Sequence, residues 1–226
     1  MKHISVAIDG PSGAGKSTLA RRAAKALGFR YLDTGAIYRT VGLAARDAGA
    51  DPDDPAAVTA LLPGLDLAIA FDGDDVQHMY LGGRDVSGAI RENDISRWAS
   101  RVSAIQGVRD FLLETQRRFA RENDVVMDGR DIGTVVLPGA DVKVFLTADP
   151  EDRAMRRYRE LRELGQSVDY DSVLAQVLER DRTDTTRAAA PLRQAEDAVL
   201  LDTTGLAPEE SLSRLLHIIR ERLGLL

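Results

Sequence analysis

The residues best suited to chemistry lie in a glycine-rich stretch near the amino end of the chain. From residue 10 to residue 18 it reads Gly10-Pro11-Ser12-Gly13-Ala14-Gly15-Lys16-Ser17-Thr18. Its outer glycines, lysine and hydroxyl residue have the spacing of a phosphate-binding loop. In such a loop the glycines let backbone N–H groups surround phosphate oxygens, the lysine bridges the β- and γ-phosphates, and the hydroxyl binds Mg²⁺. The stretch therefore predicts a phosphate site in which Ser17 is a ligand of Mg²⁺.

A glycine-rich turn with an unrelated lysine is the alternative interpretation of this stretch. Its surroundings favour phosphate binding, because residues 4–8 have a strand pattern and helical periodicity begins near Lys16. Phosphate loops serve GTPases, motor ATPases and small-molecule kinases. The base-reading pattern Asn-Lys-x-Asp of GTPases is absent, and motor ATPases are usually longer than 226 residues. The length therefore favours a small kinase.

The composition is that of one folded domain, with 226 residues of which 44% are hydrophobic and 29% charged. The net charge of −6 and an aromatic content of 5% disfavour nucleic acid and membrane surfaces as partners. The absence of cysteine excludes disulfide bonds and thiolate metal sites. No apolar run approaches the ~18 residues of a membrane span, and the early glycine loop leaves no room for a signal peptide. We expect a cytoplasmic monomer that binds small molecules.

Strand and helix patterns alternate along the chain, which predicts a parallel sheet covered by helices on both faces. The predicted strands are residues 4–8, 31–32, 125–127, 142–146 and 199–201. The predicted helices are residues 16–27, 35–48, 96–121, 151–164 and 170–186, with one more at the carboxyl end. Between residues 62 and 95, Gly, Asp and Pro interrupt short alternating runs, which predicts a small β-rich insert.

Four further segments of the chain read Asp33-Thr34-Gly35-Ala36-Ile37-Tyr38-Arg39, Gly82-Gly83-Arg84-Asp85-Val86-Ser87, Asp128-Gly129-Arg130-Asp131-Ile132-Gly133-Thr134-Val135-Val136, and Glu179-Arg180-Asp181 with Arg187-Ala188-x-Ala190-Pro191-Leu192. In this order they resemble the segments of the bacterial cytidylate kinases. The resemblance implies an α/β fold with a five-stranded parallel sheet, a P-loop kinase core, a β-rich insert that binds the nucleoside monophosphate, and a helical lid. The implied division is core at 1–61, insert at 62–95 and core at 96–226, with the lid at about 151–166.

The same resemblance implies that the γ-phosphoryl group of ATP passes to CMP or dCMP. Residues 10–18 would then bind ATP, and Lys16 would be catalytic together with the lid residues Arg153 and Arg157. The expected cofactor is Mg²⁺, held by Ser17 and by waters on Asp33 or Asp128, although either aspartate could equally cap the turn that follows it. By composition alone, the arginine-rich lid helix could equally be a solvated face.

The acceptor phosphate is assigned by the resemblance to Thr34, Tyr38 and Arg39. Thr34 and Tyr38 lie one helical turn apart, beside Arg39. Spacing alone leaves a phosphate clamp and an ordinary helix cap with an exposed arginine equally favoured.

The base is assigned by the resemblance to Asp131, helped by Ser100 and Arg109, and Arg130 is assigned to phosphate. Arg130 and Asp131 follow an apolar strand, at the end where ligands of open α/β sheets bind. A carboxylate there can accept from the N4 amino group of cytosine, which uracil lacks. A turn with a local salt bridge is the alternative.

The sugar is assigned by the resemblance to Arg180 and Asp184, and further phosphate contacts to Arg187. These three residues share one helical face, and their spacing alone favours an ordinary surface ion-pair ladder. Two other functions stay open at this stage. One is a P-loop kinase for a different monophosphate or a small alcohol, and the other is a protein that senses nucleotides without catalysis.

Overall fold

Eight strands and eight helices make up the described chain. A computed structural model describes residues 2–225, the side chain of Asn93 excepted. The strands are β1 (Ser5–Asp9), β2 (Arg30–Asp33), β3 (Leu67–Phe71), β4 (Gln77–Leu81), β5 (Arg84–Asp85), β6 (Val125–Gly129), β7 (Val142–Thr147) and β8 (Val199–Asp202). The helices are α1 (Lys16–Leu27), α2 (Thr34–Asp47), α3 (Pro55–Leu61), α4 (Asn93–Val102), α5 (Gln106–Glu122), α6 (Pro150–Glu163), α7 (Tyr170–Thr186) and α8 (Pro208–Leu223).

Five of the strands form one sheet in the order β2-β6-β1-β7-β8, and every neighbouring pair is parallel. The predicted parallel sheet is therefore confirmed. All five residues of β1 are buried, as expected for a strand whose two sheet faces are both covered. One apolar cluster packs α2, α4 and α5 against the sheet, and a second packs α1 and α8. This arrangement brings the carboxyl ends of β1, β2 and β6 to one edge.

The glycine loop connects β1 to α1 as predicted. Gly13 and Gly15 have φ angles of 76° and 88°, which a residue with a Cβ rarely adopts. Gly10 is required for a further reason, because a Cβ there would lie 1.9 Å from the carbonyl oxygen of Leu146 in β7. Helix α1 begins at Lys16 with no side-chain cap, so its first N–H groups face the loop without intrahelical partners.

The strands β3, β4 and β5 form a separate antiparallel sheet inside the stretch predicted to be a β-rich insert. Its central strand is tied to the parallel sheet through Gln77. The Gln77 side-chain oxygen accepts from the Asp33 N–H at 2.8 Å, and its amide nitrogen donates to the Asp33 carbonyl at 3.3 Å. The insert therefore contacts the residue that caps α2, where Asp33 accepts from the Ala36 N–H. The insert boundaries at 62 and 95 stay a prediction.

A histidine of the insert sheet lies between two carboxylates, which predicts that the stability of this sheet depends on pH. His78 of β4 lies 3.2 Å from Asp72 and 3.1 Å from Asp85, and these two hydrogen bonds raise its pKa. The pKa of His78 in the folded state exceeds its unfolded value of ~6.5. The contribution of His78 to the stability of the folded state is therefore fully present below that pH and is lost as the pH rises through the folded pKa. We expect amide hydrogen exchange in β3–β5, corrected for its intrinsic rate, to accelerate as the pH rises above about 6.5. His78→Gln should abolish this pH dependence, whereas His217→Gln, at an exposed position of α8, should preserve it. Constant protection in the unmodified chain would contradict the prediction.

The single helix predicted over residues 96–121 is wrong, because the structure has α4 and α5 with a break at residues 103–105. Ser103 caps α4 and its hydroxyl donates to the Ser100 carbonyl at 2.9 Å. Ile105 is extended and buried. Both Val102, before the break, and Ile105, within it, lie in the core.

The predicted lid corresponds to α6, which packs against α7. Their contact is a small apolar cluster that is separate from the two sheet clusters and consists of Ala154, Leu161, Val173 and Val177. Helix α7 has the predicted bounds of 170 and 186. Among residues 2–225, no helix is both long enough and apolar enough to cross a membrane.

Candidate active site

The glycine loop and the carboxyl ends of β2 and β6 surround one cavity of about 520 Å³. This volume is in the range of small-molecule sites, and helices α4 to α7 complete its walls. The predicted site residues that line it are Ser12, Gly13, Gly15, Lys16, Ser17, Thr18, Asp33, Thr34, Tyr38, Arg39, Arg109, Asp128, Arg130, Asp131, Arg157, Arg180, Asp184 and Arg187. The fold thus brings residues from distant parts of the chain together around one cavity.

Five predicted residues do not line the cavity, namely Gly10, Pro11, Ala14, Ser100 and Arg153. The first three belong to the turn of the glycine loop. Ser100 presents its carbonyl oxygen to the hydroxyl of Ser103, and it is Ser103 that lines the cavity. The role predicted for Ser100 stays a prediction.

Lys16 is a buried cation at the loop end of the cavity. Its Nζ donates to the carbonyl oxygen of Pro11 at 2.6 Å. Burial, and next the nearby charge of Arg130, lower the pKa of Lys16 to about 7 against the opposing charges of nearby aspartates. Anionic phosphate oxygens would favour the charged ammonium group, since an opposite charge offsets the cost of lost hydration. The position of Lys16 therefore favours binding of an anion beside its ammonium group.

Ser17 and Asp128 form an oxygen-rich pair beside Lys16. The Ser17 hydroxyl donates to Asp128 Oδ2 at 2.8 Å, and the Tyr31 hydroxyl donates to Asp128 Oδ1 at 2.8 Å. Burial, and next the charge of Asp33, raise the pKa of Asp128. Within residues 2–225, no group of three or more His, Cys, Asp or Glu side chains could hold a metal ion alone. The pair nevertheless fits Mg²⁺, which needs few protein oxygens because it retains waters and binds substrate phosphates.

Asp131 is held by arginines from two separate segments. Its Oδ2 accepts from Arg109 of α5, and its Oδ1 lies 3.6 Å from Nη2 of Arg187. Burial raises the pKa of Asp131 although both arginines oppose this effect. The Arg109 guanidinium also lies 5.7 Å from the centre of the Tyr38 ring, within the range of a cation–π contact. These contacts fix the carboxylate and one wall of the cavity.

Asp184 of α7 joins two further arginines. Nε of Arg130 donates to Asp184 Oδ2 at 2.7 Å, and Nε of Arg180 lies 3.5 Å from the same oxygen. Burial alone would raise the pKa of Asp184, but the charges of Arg130 and Arg180 hold it below its usual value. Asp184 therefore remains ionised and holds both guanidinium groups beside the cavity.

Three guanidinium nitrogens around the cavity are buried without a hydrogen bond to any described residue. They are Nε of Arg39, Nε of Arg180 and Nη2 of Arg187. Buried polar atoms usually have partners in folded proteins, and all three side chains line the cavity. These atoms are suited to anionic or hydroxyl oxygens of a ligand.

The arginines of α6 point in different directions. Arg153 is buried and donates to Asp181 of α7 at 2.5 and 2.9 Å and to the Ser12 carbonyl at 3.0 Å. Arg157 lines the cavity and lies 2.7 Å from Glu160. Arg156, which the sequence analysis did not select, also lines it and donates to the carbonyl of Thr203 at 2.7 Å. Of the α6 arginines, Arg156 and Arg157 line the cavity, and the catalytic roles of Arg153 and Arg157 stay a prediction.

The fold and this site define a P-loop kinase whose acceptor is a small molecule. A family model described as cytidylate kinase matches residues 6–221. The chain therefore belongs to the cytidylate kinase family.

Relatives of known name agree with this family. The cytidylate kinase of Carboxydothermus hydrogenoformans is 50% identical over 216 residues, covering 96% of this chain and 97% of that protein. The cytidylate kinase of Geobacter sulfurreducens is 50% identical over 219 residues, covering 97% and 94%. A solved structure of an uncharacterized protein from Eubacterium ventriosum superposes with a TM-score of 0.54 at 13% identity, over 97% of this chain and 99% of that one, and shows the fold alone. The family indicates a nucleoside-monophosphate kinase that phosphorylates CMP or dCMP with ATP.

Proposed function

We propose that the chain transfers the γ-phosphoryl group of ATP to CMP or dCMP by in-line displacement. A phosphate oxygen of the acceptor forms the new P–O bond while the bond to the β–γ bridging oxygen breaks, which yields CDP or dCDP and ADP. One observation carries the proposal: a single cavity joins the glycine loop and Lys16 to the arginines and aspartates assigned to the acceptor.

The donor phosphates are proposed to lie in the glycine loop. Backbone N–H groups of residues 10–18 and the uncapped start of α1 supply fixed partial positive charge. Lys16 adds a full charge where negative charge develops on the transferred group. When bound, Mg²⁺ would neutralise charge on the β- and γ-phosphates, with Ser17 as its ligand and Asp128 or Asp33 holding its waters.

The acceptor phosphate is proposed to bind Thr34, Tyr38, Arg39 and Arg130. Arg39 donates to Asp33 at 2.7 Å through one nitrogen while its Nε has no hydrogen bond among the described residues. The guanidinium plane is thus oriented by Asp33 and still has a donor available. A planar, pre-oriented guanidinium suits a phosphate because it can donate to two oxygens at once.

The cytosine base is proposed to bind Asp131, with Arg109 and Ser100 completing its recognition. A carboxylate can accept from the N4 amino group of cytosine, whereas uracil presents an oxygen acceptor at that place. Arg180 and Asp184 are proposed to contact the sugar, and Arg187 the phosphates. Their support is that all three line the same cavity.

The lid at about 151–166 and the insert at 62–95 are proposed to enclose the two nucleotides. Arg153 and Arg157 remain the proposed catalytic lid residues, and Arg156 joins them because it lines the cavity. Closing a lid excludes water, which strengthens the attraction between guanidinium groups and the transferred phosphoryl group.

A panel of acceptors tests the proposed function. With ATP and Mg²⁺, we expect ADP formation with CMP and dCMP to exceed that with UMP, AMP and shikimate by at least about tenfold in kcat/KM. For UMP the reason is that uracil presents the O4 acceptor to Asp131 where cytosine presents its N4 amino donor. The measurement is a coupled assay of ADP at equal acceptor concentrations. A preference for AMP or shikimate would identify another small P-loop kinase, and nucleotide binding without ADP formation would identify a sensor; either result would contradict the proposal.

A further inference from the structure

Asp9, the last residue of β1, carries a buried carboxylate that the proposed mechanism does not use. Its exposed fraction is 4%, like that of Asp128 and Asp131, yet Asp9 does not line the cavity. Burial raises its pKa to about 6 against the opposing effect of two backbone hydrogen bonds. A buried carboxylate is costly and needs partners, so its contacts indicate what it does.

Both oxygens of Asp9 accept hydrogen bonds from consecutive backbone N–H groups on another segment. Oδ1 accepts from the Ile132 N–H and Oδ2 from the Gly133 N–H, each at 2.7 Å. These N–H groups begin a single π-helical turn, Ile132–Val136, that follows β6. The first N–H groups of a helical turn have no partner within it. Asp9 therefore caps this turn from the neighbouring strand.

The residue that would ordinarily provide this cap is Asp131, which directly precedes the turn. An aspartate at that position normally accepts from N–H groups two or three residues ahead. Asp131 makes no such bond, because its carboxylate instead meets Arg109 and Arg187 at the cavity. Because Asp9 already accepts from the Ile132 and Gly133 N–H groups, the Asp131 carboxylate is not needed as the cap and is free to face the cavity.

We propose that Asp9 is a positioning residue for base recognition: its cap on the turn after Asp131 keeps the Asp131 carboxylate directed at the cavity. Asp9 is itself held firmly, since Gly10 after it packs against β7 so closely that a Cβ would collide. The strand that leads into the glycine loop thus also orients the base-binding carboxylate. This inference rests on the role proposed above for Asp131.

Asp9→Asn tests the proposal, because an amide keeps the size of the side chain but can accept only one of the two hydrogen bonds. We expect the ratio of kcat/KM for CMP to that for UMP to fall roughly tenfold, as when other groups that orient a ligand-binding side chain are lost. The loss should appear as a higher KM for CMP, with kcat at saturating CMP and KM for ATP changed by no more than about twofold. Asp9→Ser, a smaller variant that also keeps one acceptor, should give the same pattern if Asp9→Asn does not fold.

Asp124→Asn is the matched control. Asp124 Oδ1 accepts from the Ile4 N–H at 2.7 Å, next to the other end of β1. This substitution makes the same change from carboxylate to amide at a residue bonded to the backbone beside β1, without touching the turn after Asp131. We expect the CMP to UMP ratio of this variant to stay unchanged. A folded Asp9 variant with an unchanged ratio, or one in which kcat or KM for ATP changes more than KM for CMP, would overturn the proposal.

A double variant separates this proposal from the role of Asp131. If Asp9 acts through Asp131, then Asp9→Asn added to Asp131→Asn should leave the CMP to UMP ratio of the single Asp131 variant unchanged. A further fall in the ratio would overturn the positioning role. If Asp131→Asn alone keeps full discrimination, the proposed function of Asp131 fails, and the inference about Asp9 fails with it. If Asp131→Asn lowers the ratio and Asp9→Asn does not, only the inference about Asp9 fails.

Discussion

Lys16→Ala is expected to lower kcat by about 10²–10³-fold, the loss that follows removal of one donor to a developing oxyanion. Lys16 is the buried cation of the glycine loop, and its charge is costly there unless phosphate oxygens are bound. We therefore expect the Lys16 charge to stabilise the transition state most, because negative charge then builds on the transferred phosphoryl group. The measurement is kcat with saturating ATP and CMP.

The folded state should survive this substitution. Removing a buried charge also removes its desolvation cost, and the carbonyl of Pro11 is the only hydrogen-bond partner that the described residues give the Lys16 ammonium. Lys16→Met, which keeps the aliphatic stem, should lose as much activity with little change in melting temperature. Lys25→Ala, on the exposed face of the same helix, should keep full activity. Near-normal turnover in folded Lys16→Ala would refute its assignment.

The parallel sheet could be predicted because its strands are short apolar runs with clear boundaries. The run before the glycine loop and the run before Arg130 are buried on both faces, so each reads as a continuous apolar segment. Helix α1 was equally readable, since Gly28 ends it with a φ of 71°. These signals depend only on residues that are adjacent in the sequence, so they can be recognised without knowing the fold.

The sequence patterns did not predict the break between α4 and α5 or helix α3. The helical periodicity of apolar residues continues through Val102 and Ile105, so the local sequence gives no sign of the break between α4 and α5. Helix α3 does have a start signal in the sequence, because Asp54 accepts from two N–H groups ahead of it and Pro55 occupies the first helical position.

The site was predictable where motifs follow strand ends, and less so on the lid. The glycine loop, Arg130 and Asp131 are each fixed by the strand before them. On α6 the sequence favoured Arg153 and Arg157 by spacing, but Arg153 pairs with Asp181, 28 residues away on another helix. Arg153 also donates to the Ser12 carbonyl and does not line the cavity, whereas Arg156 and Arg157 do. Ser103 was missed because only the helix break places it there.

Asp131→Asn is expected to lower the ratio of kcat/KM for CMP to that for UMP by about 10–100-fold, equivalent to the ~1–3 kcal/mol that a direct hydrogen bond to a base edge provides. A carboxylate can only accept, so it favours the amino group of cytosine and repels the O4 oxygen of uracil. An amide presents both an acceptor and a donor, and can therefore meet either base. A rise in kcat/KM for UMP should be as readily measured as the fall in kcat/KM for CMP.

The same substitution should also destabilise the fold, because Arg109 and Arg187 are nearly as buried as Asp131 and would lose their counter-charge. Breaking a buried ion pair costs about 3–5 kcal/mol when no partner remains, and the amide oxygen should retain part of this. Melting temperature and the CMP to UMP ratio are therefore measured on the same samples. Asp110→Asn, on the exposed side of α5 next to Arg109, should change neither quantity. A folded Asp131→Asn variant with undiminished preference for CMP would remove Asp131 from base recognition and leave it only the task of holding the two arginines.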